Sequence, residues 1–285
     1  MTRLTTEQID QYWADGYVFP VGALSPHEAG RIRADFEHLE QVSRARSDLP
    51  EPFDNYARTC LHLVSTTAAS LAAHPALLDI VEPIIGPDIL CWAVELIAKE
   101  PHTDKIVSMH QDLTYWGLNH PDSLVSVWVA LSEARVANGA MRFVRGSHRL
   151  GQVDHRDSFA ENNVLTRGQH IETEHDPDDE VAVELDPGQV SLHHGHMFHS
   201  SGPNATDGRR LAAVIRYVNP NVEQVAASRD FGMLVRGVNR TSNLVTVAPP
   251  LADLDPAGLA LHAEVVAAQS EALAEGARDD MSYLR

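Results

Sequence analysis

The sequence predicts a mainly β protein with flanking helices: a jelly-roll core (double-stranded β-helix, cupin-like) buttressed by N-terminal and C-terminal helices. Two observations carry this. From Ile89 the hydrophobic pattern changes from helical spacing to alternation, in short runs separated by turn residues, which argues for many short strands rather than a parallel sheet. Helical spacing is confined to the two ends of the chain.

Near the N-terminus, Thr5 with Gln8 reads as a capping box, and Ser25-Pro26-His27-Glu28 as a second with Pro at the first helical position. Between them GYVFPV reads as a short strand. The second helix places Ala29, Ile32, Phe36 and Leu39 on one face, and a third runs from His74 to Ile85, stopped by Gly86-Pro87. In ILCWAVELIAKEP, Trp92, Val94 and Leu96 fall on one side and Cys91, Ala93, Glu95, Ile97 and Lys99 on the other. Either Glu95 or Lys99 faces a site, or Glu95 is solvated and Lys99 snorkels from an edge. Strands follow at 106–112, 123–131 and 140–145, with Asn138-Gly139 as a turn, and Arg142 and Arg145 are expected in solvent.

Between Gly146 and Asp186 the pattern dissolves. Glu172 to Glu184 holds seven acidic side chains and no Lys or Arg, so this insertion (about 150–185) is expected to be solvated, as a lid over a pocket mouth or as a surface loop. The last strand, RLAAVIRYV, gives Arg210, Ala212, Val214 and Arg216 one parity. PNVEQVAASRDFGMLVRG reads as irregular, and Pro256–Ala274 as a closing helix capped by Asp255, placed over the core or at a dimer contact. The expected organisation is one domain over 1–285: a buttress at about 1–88, a core at about 89–220 and a tail at about 221–285.

The 285 residues carry a net charge of −18, which argues against nucleic acid or an anionic membrane as partner. No apolar run reaches transmembrane length, and MTRLTTEQ lacks a signal-peptide core. Cys60 and Cys91 are too few for a disulfide framework, which fits a cytoplasmic protein, monomeric or homodimeric, acting on a small molecule.

The chemistry concentrates in two stretches. In SMHQDLTYWGL, His110 and Asp112 project to the same side of an extended strand and supply two-thirds of a two-histidine, one-carboxylate metal site. In SLHHGHMFHSSGPN, four histidines compete for the third place. His193 and His199 share a side if the strand is unbroken, but Gly195 interrupts it, and His194 and His196 then become alternatives. Arg210, opening the next strand, suits a carboxylate, because its planar fork grips one bidentately. Gln111, Tyr115 and Arg216 are candidate substrate contacts, Arg216 either holding an acidic group or pairing with Glu95.

HQD, NGAMRFVRGSH and MFHSSGPN followed by an Arg resemble, in order, the motifs of the phytanoyl-CoA dioxygenase family of Fe(II)/2-oxoglutarate oxygenases, over about Thr5 to Gly237. The resemblance implies His110, Asp112 and His199 as ligands of Fe(II), with His196 the alternative third ligand. It implies Arg210 and Ser201 on 2-oxoglutarate, and it matches Trp128 to a tryptophan of the cosubstrate pocket. It further implies consumption of O2 with release of succinate and CO2. Halogenating relatives replace the carboxylate by a small residue, so Asp112 implies hydroxylation or a related oxidation. Two other readings are a cupin-like metalloenzyme that is not an oxygenase (isomerase or hydrolase) and a catalytically silent jelly-roll binding protein. Iron content and 2-oxoglutarate-dependent succinate release separate them.

Overall fold

The computed structural model describes residues 3–160, 162–165 and 168–275. The N-terminal part runs α1 (Thr6–Asp15), β1 (Tyr17–Gly22), α2 (Pro26–Arg44), α3 (Phe53–Arg58), α4 (Thr66–Ala72) and α5 (Pro75–Ile85). Thr5 and Gln8 cap each other reciprocally as expected, whereas Ser25 Oγ accepts from the Glu28 amide at 3.1 Å but the Glu28 carboxylate turns to His74 instead of completing a box. Helices α3 and α4, of six and seven residues, are too short to leave a periodic signature, and the sequence reading missed them.

The central part comprises β2 (Ile89–Lys99), β3 (Val107–His110), β4 (Leu124–Ala130), β5 (Met141–Val144), β6 (His155–Arg156), β7 (His170–Ile171) and β8 (Glu180–Val183). It continues through β9 (Gln189–His193), β10 (His199–Ser201) and β11 (Arg210–Val218), and the chain closes with β12 (Phe231–Arg236), β13 (Val245–Val247) and α6 (Pro256–Glu275). A major sheet has the order β1-β9-β4-β11-β2-β12-β13, antiparallel except for β12–β13, and a minor antiparallel sheet has the order β3-β10-β5-β8.

Alternation along the major sheet decides what faces the interior. Val125, Val127 and Val129 of β4 and Leu211, Ala213 and Ile215 of β11 pack into one apolar cluster with Phe36, Leu77 and Ile80 of the helices. Their opposite neighbours Trp128, Ala130, Ala212 and Val214 share a second cluster with Met141, Phe143 and Val183 of the minor sheet. The two sheets therefore face each other, with the helices on the outer side of the major one. Asp255 caps α6 through the amides of Ala257 and Gly258, both at 2.9 Å, and α6 packs Val265 and Ala268 against Cys60 and Leu63.

Several expectations need correction. The acidic run is partly sheet, since Glu180–Val183 pairs with β5 as the outer strand of the minor sheet, with Glu180 half-buried. Arg142 is not simply solvated, because it reaches Glu180 at 3.5 Å. The stretch read as irregular contains β12, which together with the later β13 extends the major sheet beyond residue 220. In β2, Arg216 pairs with Ala93 and Tyr217 with Cys91, so Trp92 is the extra residue of a bulge. The bulge moves Cys91 to the helix side with Val94 and Leu96, and Trp92 to the inner cluster with Ala93. Among the described residues no single helix is long and apolar enough to cross a membrane.

Candidate metal centre and cosubstrate pocket

Strand β3 ends at His110, Gln111 keeps extended dihedrals, and Asp112 opens a single 3-10 turn, Asp112–Tyr115. His110 and Asp112 thus point inward and Gln111 outward. Strand β10 lies beside β3 with His199 directly opposite His110. The rings of these histidines have centroids 4.1 Å apart, and Asp112 Oδ1 stands 3.8 Å from His110 Nε2 and 3.7 Å from His199 Nε2. One potential ligand atom from each of the three side chains lies within 4.8 Å of the others, and all three are buried.

The protonation states suit a cation. His110 Nδ1 faces the Ser108 carbonyl at 2.9 Å and His199 Nδ1 faces the Met197 carbonyl at 3.0 Å. A carbonyl only accepts, so the proton sits on Nδ1 and the Nε2 lone pair is left toward Asp112. Burial pushes the imidazoles down, His110 to about 3 and His199 to about 4, which keeps both neutral near pH 7. Burial pushes Asp112 up, but Arg216 and the neighbouring histidines prevail and hold it well below the usual carboxylate range. Two neutral imidazoles and one carboxylate, with room on the cavity side, form the donor set that a facially bound Fe(II) requires.

Of the other histidines of the second motif, His193 stands 3.4 Å from Asp112 Oδ2, whereas His194 and His196 lie elsewhere. His194 turns outward to Asp122 at 3.1 Å and accepts from the His196 amide at 3.1 Å. His196, the alternative third ligand, is half-buried and neighbours His194 rather than His110. The turn between them is tight: a Cβ on Gly195 would stand 2.7 Å from Leu113 and 2.8 Å from Leu124. Beyond this turn β10 belongs to the minor sheet, from which His199 faces the interior opposite His193 of the major sheet.

Arg210 is 1 % exposed, with its guanidinium 5.4 Å from the Trp128 ring centre and one nitrogen donating to the Gly139 carbonyl. No carboxylate pairs with it among the described residues, Nε has no partner, and burial lowers it to about 10. Directly across the β11–β2 register is Lys99, also 1 % exposed, whose ammonium donates to the Ser201 and Gly202 carbonyls. Burial first, and then the Arg210 charge, push Lys99 down to about 7. Two adjacent buried cations without a counter-ion are costly unless an anion joins them. Ser201 lines the same space. The sequence reading left Lys99 between the site and an edge; the register places it at the site.

Arg210 and the metal triad open into one cavity of about 480 Å3. Its far wall is apolar, with Trp92 and Trp116 rings 5.0 Å apart, Phe53 and Leu96, and Gln269 from α6 closing one side. Trp92 is held by Asp230 at 2.8 Å, a partnership without any motif in the sequence. Arg216 pairs with Glu95 at 2.8 Å and lies 4.8 Å over the Trp116 ring, which answers the sequence-level alternative in favour of the internal pair. Gln111 lines the same cavity, with its side chain already engaged within the chain. Its amide donates to the Gly151 and His196 carbonyls and accepts from the Val153 amide, because strand alternation turns it away from His110. The side chain of Tyr115 lies outside the described residues. Over the mouth, the insertion contributes Val164, Leu165 and Gln169, whereas none of 172–184 lines the cavity among the described residues.

The sequence pattern described as "Phytanoyl-CoA dioxygenase (PhyH)" matches residues 12–212. The chain belongs to the phytanoyl-CoA dioxygenase family. A probable phytanoyl-CoA dioxygenase of Caenorhabditis elegans is 24 % identical over 239 residues, 77 % of either protein. Among solved structures, the non-heme monooxygenase ThoJ is 35 % identical, with a TM-score of 0.82 over 93 % of this chain and 97 % of that one. CytC3 with Fe(II) and α-ketoglutarate shares the fold at 19 % identity, with a TM-score of 0.65 over 86 % of this chain and 93 % of that one. The family member described here is an Fe(II)- and 2-oxoglutarate-dependent oxygenase of the jelly-roll fold, acting on a small molecule. That membership favours the oxygenase reading over a cupin-like metalloenzyme of another class.

Proposed function

We propose that this oxygenase hydroxylates a C–H bond of a small-molecule metabolite, with His110, Asp112 and His199 holding Fe(II) and Arg210 holding the far carboxylate of 2-oxoglutarate. Bound Fe(II), with 2-oxoglutarate and O2, supplies the oxidising power, and succinate and CO2 are the co-products. The chain's residues do the rest. The two imidazoles offer Nε2 lone pairs, and Asp112 supplies the negative charge beside them. Arg210, over the Trp128 ring, presents its fork to the cosubstrate, with Lys99 as a second cation and Ser201 lining the same space. Trp92 and Trp116 exclude water from the volume left for the substrate.

The observation that carries this reading is the buried, uncompensated pair Arg210 and Lys99 in the same cavity as a His-Asp-His cluster. A dianion completes the first, and a divalent cation completes the second. Asp112, which takes the place that a halide would need, argues against halogenation, and hydroxylation is the oxidation proposed. The test is to reconstitute the protein with Fe(II) and screen small acids and natural-product intermediates for succinate release coupled to a product one oxygen atom heavier. A chlorinated or merely dehydrogenated product from the unaltered protein would refute it.

A further inference from the structure

The triad comes from the minor sheet and its following turn, but Asp112 is gripped from the major sheet. Three residues on adjacent strands stand in one cross-strand row: His193 of β9 is the register partner of Ser126 of β4, and Ser126 is the partner of Arg216 of β11. All three side chains point inward and reach the same carboxylate. They divide its oxygens. Ser126 Oγ donates to Oδ2 at 2.8 Å, and His193 Nε2 stands 3.4 Å from that same oxygen. Oδ1 faces His110 and His199, with Arg216 Nη2 at 3.5 Å. Ser126 is fully buried and His193 is 1 % exposed, and among the described residues neither ring nitrogen of His193 has a hydrogen bond of normal geometry, Asp112 Oδ2 being the carboxylate oxygen that its Nε2 faces. Among the described residues Asp112 is the carboxylate that this buried imidazole faces, and a buried polar ring calls for such a partner.

We infer that Ser126 and His193 are positioning residues that hold Oδ2 of Asp112 away from the metal, so that the carboxylate presents one oxygen, Oδ1, beside the two histidines. An untethered carboxylate rotates about its Cβ–Cγ bond and can offer both oxygens, which would fill one of the positions that cosubstrate and O2 need. The tether therefore acts on how many places remain open rather than on whether a ligand exists. Arg216 holds the other side and is itself fixed by Glu95, so the row also connects the carboxylate to the Trp116 wall of the substrate space.

This inference rests on the proposed ligand role of the triad, and the experiment separates the two. Apo protein is titrated with Co(II), and the visible absorption of the bound ion, whose intensity falls as coordination number rises, is recorded without cosubstrate. Ser126→Ala and His193→Phe are each expected to weaken Co(II) binding by about 10-fold, as loss of a ligand's hydrogen-bond partner does, and to lower the absorption per bound ion. Ser126→Thr and His193→Gln keep a hydroxyl and an N–H, and are expected to restore both readings. Ser126→Ala removes a single oxygen from a strand interior, and it carries the test if His193→Phe fails to fold. Unchanged affinity and spectrum in Ser126→Ala, or folded Thr and Gln variants that restore nothing, overturn the tether while leaving the triad as ligands. An unaltered protein that takes up no Co(II) overturns the ligand reading and the tether together.

Discussion

Replacing Arg210 by alanine tests the cosubstrate clamp most directly. The guanidinium is 1 % exposed, lacks a carboxylate partner among the described residues, and faces the cavity shared with the metal triad. Losing one member of a desolvated ion pair costs roughly 3–5 kcal/mol, because the other charge stays buried and unpaired. At about 1.4 kcal/mol per decade, that is roughly two to three and a half decades in 2-oxoglutarate affinity. Lys99 reduces the loss. Its ammonium lies across the strand pair and remains available, and removal of the Arg210 charge, which helps to depress it, makes it more fully protonated. The expected loss is therefore at the lower end, about two decades. Arg210→Lys should recover only part, since an ammonium does not present two parallel donors. The assay is calorimetric titration of 2-oxoglutarate into protein loaded with Co(II), so that turnover does not enter. Arg209→Ala is the control: Arg209 precedes Arg210 but turns outward to Glu40 at 2.8 Å and Glu100 at 2.7 Å. Equal 2-oxoglutarate affinity in Arg210→Ala and the unaltered protein, or a larger loss in Arg209→Ala, would refute the register on which the clamp depends.

Other outcomes follow from the same geometry. His110→Ala, Asp112→Ala and His199→Ala should each abolish Fe(II)-dependent succinate release, whereas His196→Ala should leave it within about twofold, since His196 turns outward; loss confined to His196→Ala would reassign the third ligand. Lys99 should make cosubstrate binding pH-dependent: held near 7, it loses its proton above neutrality, so 2-oxoglutarate affinity should fall from pH 7 to 9, and Lys99→Met should flatten that fall in the same titration. For the ligand-free protein the sign is opposite. Lys99 is depressed from 10.5 to about 7 in the folded state, so the unfolded chain binds more protons in that window and stability should rise with pH across it, read as thermal midpoints that Lys99→Met no longer shifts. Gly139 has φ +79°, and a Cβ there would stand 2.5 Å from the Gly202 carbonyl and 2.9 Å from that of Pro203. Gly139→Ala should therefore cost at least about 1–2 kcal/mol in denaturant unfolding and weaken 2-oxoglutarate binding, because Arg210 donates to the Gly139 carbonyl.

Local chemistry was legible in the sequence wherever a feature depends on neighbours along the chain. Thr5, Ser25 and Asp255 announce helix starts because a cap bonds within three residues. Alternation in β11 correctly placed Arg210 and Arg216 on one face, since an unbulged strand reverses side at every residue. His-x-Asp and the motif order pointed to the His-Asp-His cluster. What the tertiary structure decided are the relations between strands far apart in sequence. The bulge at Trp92 inverts the face of Cys91, and nothing in ILCWAV signals it, because a bulge is a property of the pair and not of one strand. Lys99 could be an edge residue or a site residue until the antiparallel register set it opposite Arg210. His193 and His199 shared a predicted side only for an unbroken strand. The turn at Gly195 instead moves the chain from the major sheet to the minor one, and so puts these two histidines on opposite walls around Asp112, one against each carboxylate oxygen.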